Sequence, residues 1–136
     1  MKKIILTAAV FAFANCCYSQ NIPNPASLYV KFLGYKSEIK SDKEGNQRKV
    51  CILPDSSECD EWAFFRGTCG QAYSYCALKG YKAESFIDST EGYKLIICKC
   101  IDPKNSEKKI PLLDFMMMHG DTLFKEIDRS KRNITY

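Results

Sequence analysis

The chain has 136 residues, with 20 Lys and Arg against 16 Asp and Glu, a formal net charge of +4 and a single histidine. This length suits one compact domain. The mixed charges leave no basic footprint of the kind that nucleic-acid-binding proteins carry, so that function class is excluded.

The N-terminus has the layout of a secretory signal peptide. Lys2 and Lys3 precede an uncharged apolar run, residues 4–14, which is too short to span a bilayer comfortably. Small residues at and before position 19 predict cleavage there, so that residues 1–19 form the signal peptide. No later stretch is apolar enough for a membrane helix, and we expect a secreted or periplasmic protein with no transmembrane segment in its mature chain.

Lipid attachment is the alternative fate of the N-terminus. Cys16 or Cys17 would be the modified residue, and the product would be a lipid-anchored protein. Asn15 stands before Cys16, where a lipoprotein signal usually has a small residue, so this alternative fits the sequence less well.

Two segments of the chain resemble each other. Residues 29–38 and 75–84 share tyrosines, a glycine, a lysine and a glutamate at the same spacing, and Gly45 and Cys51 match Gly92 and Cys98 further on. We interpret this similarity as a duplication, with chance as the alternative.

The first copy predicts a helix followed by a β-hairpin. Asn24 can cap a helix that Pro25 opens and Gly34 ends. Residues 35–40 alternate as a half-buried strand does, with Tyr35, Ser37 and Ile39 on the buried face, and residues 49–53 form the returning strand. Between the copies, Ser57 is a plausible cap for a further helix that contains Trp62.

The second copy predicts the same pattern. A helix covers residues 71–79, and strands cover residues 81–87 and 93–101. Residues 104–109 read as a polar loop, followed by short helices over residues 111–118 and 122–129. The sequence therefore predicts a small α+β domain of two helix–β-hairpin units, residues 24–69 and 70–103, with a partly helical C-terminal extension, residues 104–136.

Six cysteines follow the predicted cleavage site. An even number of cysteines in a short exported chain is typical of a disulfide framework, and sequence alone allows many pairings among them. These residues are Cys51, Cys59, Cys69, Cys76, Cys98 and Cys100.

Part of the first copy resembles a known family. Asn24-Pro25-Ala26-Ser27, Cys51, Pro54-Asp55 and the stretch Cys59-Asp60-Glu61-Trp62-Ala63-Phe64-Phe65-Arg66-Gly67-Thr68-Cys69 are similar to the DUF333 family of bacterial exported proteins. Its members are often labelled hemolysins, a label that carries no mechanism. The resemblance implies no agreed active site, and residues 20–103 are interpreted as a DUF333-like region with a degenerate second copy.

One departure from the family affects the disulfides. The family usually has a cysteine where this chain has Val30, whereas Cys76 occupies the corresponding place in the second copy. The usual helix-to-strand disulfide therefore cannot form in the first copy. Given the resemblance, we predict the pairs Cys59–Cys69, Cys76–Cys98 and Cys51–Cys100.

The sequence offers little for catalysis or for metal binding. His119 is the only candidate base, and it lies in a methionine-rich segment without a nucleophile motif. A zinc site of Cys76, Cys98, Cys100 and His119 has unusual spacing, and export favours disulfides over thiolate ligands. The acidic residues 55–61 lack the EF-hand pattern for calcium. We therefore predict no catalytic residue, no metal and no cofactor.

Three functions remain open. The favoured hypothesis is a non-enzymatic binding or structural module of the bacterial cell envelope, whose partner is an unknown envelope or extracellular protein. Its possible binding surface is the acidic tryptophan helix, with Asp60, Glu61, Trp62 and Arg66. The second is a secreted inhibitor of a protease or another hydrolase, acting through residues 102–109 or 55–58. The third is a hemolysin-like membrane-active protein that uses the apolar residues 112–118.

Overall fold

A computed structural model describes residues 23–89 and 92–123. The predicted signal peptide with Cys16 and Cys17, and most of the predicted helix over residues 122–129, lie outside these ranges. Within them, no helix is both long enough and apolar enough to cross a membrane.

The first half of the chain forms a helix, a three-stranded sheet and a second helix. Helix α1 spans Pro25–Phe32, strands β1, β2 and β3 span Lys36–Ser41, Gln47–Ile52 and Glu58–Asp60, and helix α2 spans Glu61–Phe65. Helix α2 begins later than predicted and is not capped by Ser57, because residues 58–60 pair with β2 as a third strand. We call residues 24–67 the first unit.

The second half repeats this order of elements. A short 3-10 helix at Gln71–Tyr73 leads into helix α3, Tyr75–Leu78. Strands β4, β5 and β6 follow at Lys82–Asp88, Leu95–Asp102 and Asn105–Pro111, and helix α4 spans Leu112–Met118. The predicted helix over residues 71–79 is split because Ser74 is extended and caps α3 by accepting from the Ala77 amide. We call residues 71–118 the second unit.

Both sheets are antiparallel, with strand orders β1-β2-β3 and β4-β5-β6. The α+β class is thus confirmed, but the units contain three strands and not simple hairpins. Residues 104–109, predicted as a loop, lie largely in β6, which pairs with β5 through Cys100 and Ile110. The predicted boundary at residue 103 therefore falls inside the second sheet.

The two units share one hydrophobic core. In the first unit the ring of Phe64 lies 5.2 Å from that of Tyr29 and 6.0 Å from that of Tyr35. In the second unit Phe115 lies 6.0 Å from Tyr75 and 4.6 Å from Tyr81. Each unit is therefore built around a phenylalanine that packs between two tyrosines, which adds to the stabilisation from burial alone.

Direct contacts join the units. The buried Tyr29 hydroxyl accepts a hydrogen bond of 2.8 Å from the Tyr75 amide, and the Tyr35 hydroxyl donates to the Tyr73 carbonyl at the same distance. Gly67, with φ of +74°, ends the first unit so close to the second sheet that an added Cβ would lie 2.9 Å from the sulfur of Cys98. The two units are thus packed without a gap at this point.

Candidate functional site

Residues that carry the DUF333 resemblance have structural roles at the start of α1. The Asn24 side chain accepts from the Ala26 amide at 3.0 Å, and Pro25 occupies the first helical position. These are the two preferences that define a helix N-terminus. They fix where α1 begins and leave no side chain of this pair for chemistry.

Glu61 anchors α2 from within the protein. The residue is 1% exposed, and its carboxyl group accepts hydrogen bonds from Ser27 of α1, at 2.5 Å, and from Ser37 of β1. A buried carboxyl group is tolerated only when such partners satisfy it. Glu61 was predicted to lie on a binding surface, and this prediction is wrong because the side chain points into the contact between α1, β1 and α2.

Asp60 is the N-cap of α2. Its carboxylate accepts from the amides of Trp62 and Ala63 at 3.0 Å and 3.1 Å, where the helix dipole also favours a negative charge. Asp60 therefore fixes the start of the helix, and its side chain is occupied by that task.

Trp62 and Arg66 form the solvent-facing part of α2. Trp62 is 37% exposed, and the guanidinium carbon of Arg66, one turn later, lies 4.9 Å from the centre of the indole ring. The indole ring also makes an edge contact with Phe65, which in turn contacts the buried Tyr29. The pair is thus an exposed aromatic–cation stack held by the core.

An apolar groove begins beside this stack. It has a volume of about 240 Å³ and is lined by Phe65 and Arg66 of the first unit and by residues 96–98 and 111–114 of the second. Arg66 and Asp114 supply its charged groups, and the rest of the lining is almost entirely apolar. We call Trp62, Arg66 and this groove the α2 surface.

Two disulfides brace the described residues. Cys59 bonds to Cys69, which closes a loop around α2, and Cys76 of α3 bonds to Cys100 of β5. The predicted pairs Cys76–Cys98 and Cys51–Cys100 are therefore wrong. Cys100 lies opposite Ala83, at the end of the sheet where α3 leads into β4, whereas Cys98 precedes it by two residues and lies opposite Ser85.

Cys51 and Cys98 have no disulfide partner among the described residues, and both are buried. Burial raises the pKa of the Cys51 thiol to about 11 and that of the Cys98 thiol to about 12. Because the thiolate is the reactive form, both side chains are inert near neutral pH. The even number of cysteines after the predicted cleavage site did not indicate that two of them would lack a disulfide partner among the described residues.

The side chains that were considered for catalysis and for zinc binding have other partners in the structure. Nδ1 of His119 hydrogen-bonds to the Phe115 carbonyl at 2.8 Å, and its ring packs on Phe115. Cys76 and Cys100 are joined to each other, so they are not free thiolate ligands. Within residues 23–89 and 92–123, no group of three or more potential metal-binding side chains lies together.

The acidic residues of positions 55–61 are dispersed. Asp55 accepts from the amide and hydroxyl of Ser57, and this bonding lowers its pKa, while Glu58 forms an ion pair of 2.8 Å with Lys40. Since Asp60 and Glu61 serve as a helix cap and a buried anchor, the four carboxylates do not converge on one point.

The segment considered for membrane activity is part of the core. Helix α4 has seven residues, and Leu112, Phe115 and Met116 are buried between the helix and the rest of the protein. An interfacial helix needs its apolar face free for lipid. Three of the six apolar side chains of α4 are already buried in the core here.

In comparisons with known proteins, the family match falls on the part of the chain that carries the motif. The profile of the "Domain of unknown function (DUF333)" matches residues 21–68, which correspond closely to the first unit. An uncharacterized protein of Archaeoglobus fulgidus is 32% identical over 84 residues. That alignment covers 62% of this chain and 39% of the relative, so the chain spans well under half of that protein. No solved structure matches. The chain is thus similar to DUF333 proteins through its first unit.

Proposed function

We propose that this protein is an exported, non-enzymatic binding module of the bacterial cell envelope, and that it contacts a partner protein through the α2 surface. The observation that carries the proposal is the Trp62–Arg66 stack. Among the residues of α2 and its cap, Asp60, Glu61 and Phe64 serve the fold, whereas these two large side chains face solvent beside an apolar groove.

The chemistry of the stack suits protein recognition. Tryptophan and arginine dominate the residues that contribute most to binding energy at protein interfaces, particularly beside a pocket that excludes water. The Cys59–Cys69 disulfide and the contacts of Phe65 hold α2 in one geometry. A surface that is ordered before binding loses little conformational entropy when it binds.

The proposed location follows from the N-terminus and the disulfides. Disulfides form and persist mainly in oxidising compartments, which agrees with a secreted or periplasmic protein. Attachment through a lipid on Cys16 or Cys17 is the alternative. The partner would be an envelope or extracellular protein, and we propose neither a cofactor nor a nucleic-acid ligand.

The two other functional classes have less support. The proposed inhibitory segments are short turns: Asp102 pairs with Asn105, and the Leu53 amide and carbonyl bond around a turn to Ser57 and Ser56. A protease inhibitor would be expected to present a longer exposed loop. Membrane lysis would require α4 to leave the core.

Cross-linking in envelope extracts tests the proposal. The purified protein is cross-linked to detergent-solubilised envelope proteins of its host, and the products are identified by mass spectrometry, in parallel with W62A and R66E variants. We expect a specific product with the unaltered protein that is lost in both variants. Y93A is the matched control, since Tyr93 is an exposed aromatic residue outside the α2 surface.

One result of the cross-linking experiment would contradict the proposal. If W62A and R66E yield the same cross-linked products as the unaltered protein while retaining both disulfides, the α2 surface is not the binding site. If the added protein releases haemoglobin from red cells, the membrane-active class is favoured instead. If it lowers the activity of proteases in a panel, the inhibitor class is favoured.

A further inference from the structure

Strand β1 is an edge strand of the first sheet. Within the described part of the chain β2 is its only paired strand, so every second residue of β1 directs its backbone amide and carbonyl groups outwards. Such an edge can pair with a strand of another chain, and proteins usually prevent this with charged side chains. Strand β1 carries three of them, Lys36, Glu38 and Lys40. The order of these charges therefore decides which strand β1 can accept.

The charges of β1 are complementary to themselves in one antiparallel register. Two identical strands pair about a twofold axis that passes through one residue of each strand, because only alternate residues offer outward hydrogen-bonding groups. With the axis at Ile39, Glu38 of each copy lies opposite Lys40 of the other. Lys36 then lies opposite Asp42, which follows the strand. Every charged residue from position 36 to position 42 thus faces a residue of opposite charge.

The neighbouring registers place like charges together. An axis at Glu38 brings Lys36 opposite Lys40, and an axis at Lys40 brings Glu38 opposite Asp42. Like charges that lie directly opposite each other destabilise a strand pair. Registers that are shifted further pair only part of the strand. The sequence of β1 therefore selects the register with its axis at Ile39.

The other face of β1 fits the same register. Ile39 is 63% exposed and lies between Ser37 and Ser41 on the face opposite to the charged side chains. With the axis at Ile39, the two isoleucines of a pair meet, and each Ser37 lies opposite a Ser41. The small serine side chains leave room for the isoleucines, whose apolar surface is removed from water by the contact.

Strand β4, the first strand of the second sheet, lacks this degree of complementarity. Its longest self-pairing has the axis at Ser85 and brings Lys82 opposite Asp88. The same register places Glu84 opposite the aromatic ring of Phe86, so that one of its three charged residues has no charged counterpart. The pattern that favours self-pairing is therefore more complete in β1.

We propose that two copies of this protein associate through β1, in antiparallel register with Ile39 on the twofold axis, so that their first sheets join into one six-stranded sheet. Backbone hydrogen bonds and the isoleucine contact supply the affinity, and the charged pairs set the register. The interface is small, so the association is reversible and depends on protein concentration. It uses no residue of the α2 surface and does not depend on the proposed binding function.

Charge exchange between positions 38 and 40 tests this proposal. E38K and K40E each turn two attractive pairs of the dimer into repulsive ones, so each should weaken association about 30-fold in sedimentation equilibrium. The double variant E38K/K40E restores opposite charges in the same register and should associate as the unaltered protein does. An equimolar mixture of the two single variants should form a heterodimer, because the basic edge of one then faces the acidic edge of the other.

The single variants lose exposed ion pairs, of Lys36 with Glu38 and of Lys40 with Glu58, which contribute little to folding. Circular dichroism of each variant checks that the fold is kept, and recovery of association in the mixture excludes misfolding as the cause of its loss. K82E is the matched control. Lys82 of β4 forms the same kind of ion pair, with Glu84, and its replacement should leave association unchanged.

Four results would overturn the proposal. The first is an unaltered protein that stays monomeric at millimolar concentration. The second is association that persists unchanged in E38K and K40E. The third is a mixture of these two variants that remains monomeric. The fourth is loss of association in K82E, which would identify β4 as the edge that pairs.

Discussion

A cysteine at position 30 should create a third disulfide, with Cys51. The two units connect helix to strand in the same way: the Tyr35 amide donates to the Val30 carbonyl at 3.1 Å, and the Tyr81 amide donates to the Cys76 carbonyl at 2.8 Å. By strand register, Cys51 lies opposite Ser37 as Cys100 lies opposite Ala83. Val30 and Cys51 therefore occupy the places of the bonded pair Cys76–Cys100.

The size of the effect follows from loop closure. Linking residues 30 and 51 removes conformational entropy from the unfolded chain worth about 3 kcal/mol. Replacing the fully buried Val30 side chain costs about 1 kcal/mol in lost packing. We therefore expect V30C to raise the free energy of unfolding by about 2 kcal/mol.

Peptide mapping of the unreduced variant tests whether residues 30 and 51 are bonded. Urea unfolding measures the change in the free energy of unfolding. V30C combined with C51S is the control, because it has the same new side chain without a partner, and it should be less stable than the unaltered protein. The reasoning is refuted if the V30C protein keeps a free thiol at position 51 after oxidation, or if the new bond forms without raising stability above that of the control.

Three further predictions concern stability. E61A should lower the free energy of unfolding by about 2 kcal/mol, because the hydroxyls of Ser27 and Ser37 lose their acceptor. The measurement is urea unfolding, and an unchanged midpoint would contradict the prediction. G67A should destabilise the protein more than G34A, measured by thermal unfolding: both glycines have φ near +75°, but only an added Cβ at position 67 meets a neighbour within 4 Å. The raised pKa values of the two buried thiols predict that their contribution to stability is fully present below about pH 9, the ordinary thiol pKa, and is lost as the pH rises towards 11 and 12. The C98A variant should therefore show a shallower fall of the urea midpoint with rising pH. An identical fall in the variant and the unaltered protein would count against this assignment.

Much of the local structure could be predicted from single residues. Asn24 and Pro25 at a helix start, and glycines at positions 34 and 80 after helix ends, act through their own backbone preferences, so their effect is visible in sequence. The α+β class follows from the same signals.

Strand β6 could not be predicted because its residues lack the alternation of apolar and polar side chains that indicates a strand. It is an outer strand of the second sheet, and residues 105–109 are exposed, so nothing selects alternating apolar side chains there. Ile39 shows the reverse error: it was predicted to lie on the buried face of its strand, but it is 63% exposed.

The candidate site was predicted in part, for a physical reason. The helix with Trp62 and Arg66 was identified, but Glu61 was assigned to its surface because a carboxylate is rarely buried. Its burial depends on Ser27 and Ser37, which lie far away in sequence. The groove was missed entirely, since seven of its nine lining residues come from the second unit and only Phe65 and Arg66 from the first.

The way the two units interlock has a practical consequence for anyone who trims this protein to its recognisable part. A fragment cut at the family boundary, residue 68, would lose Cys69 and with it the covalent closure around α2. It would also uncover the Tyr29 side chain, whose hydroxyl is bonded to residue 75. Such a fragment should be recovered as misassembled, aggregation-prone material, and the smallest piece worth isolating is the one that retains both sheets.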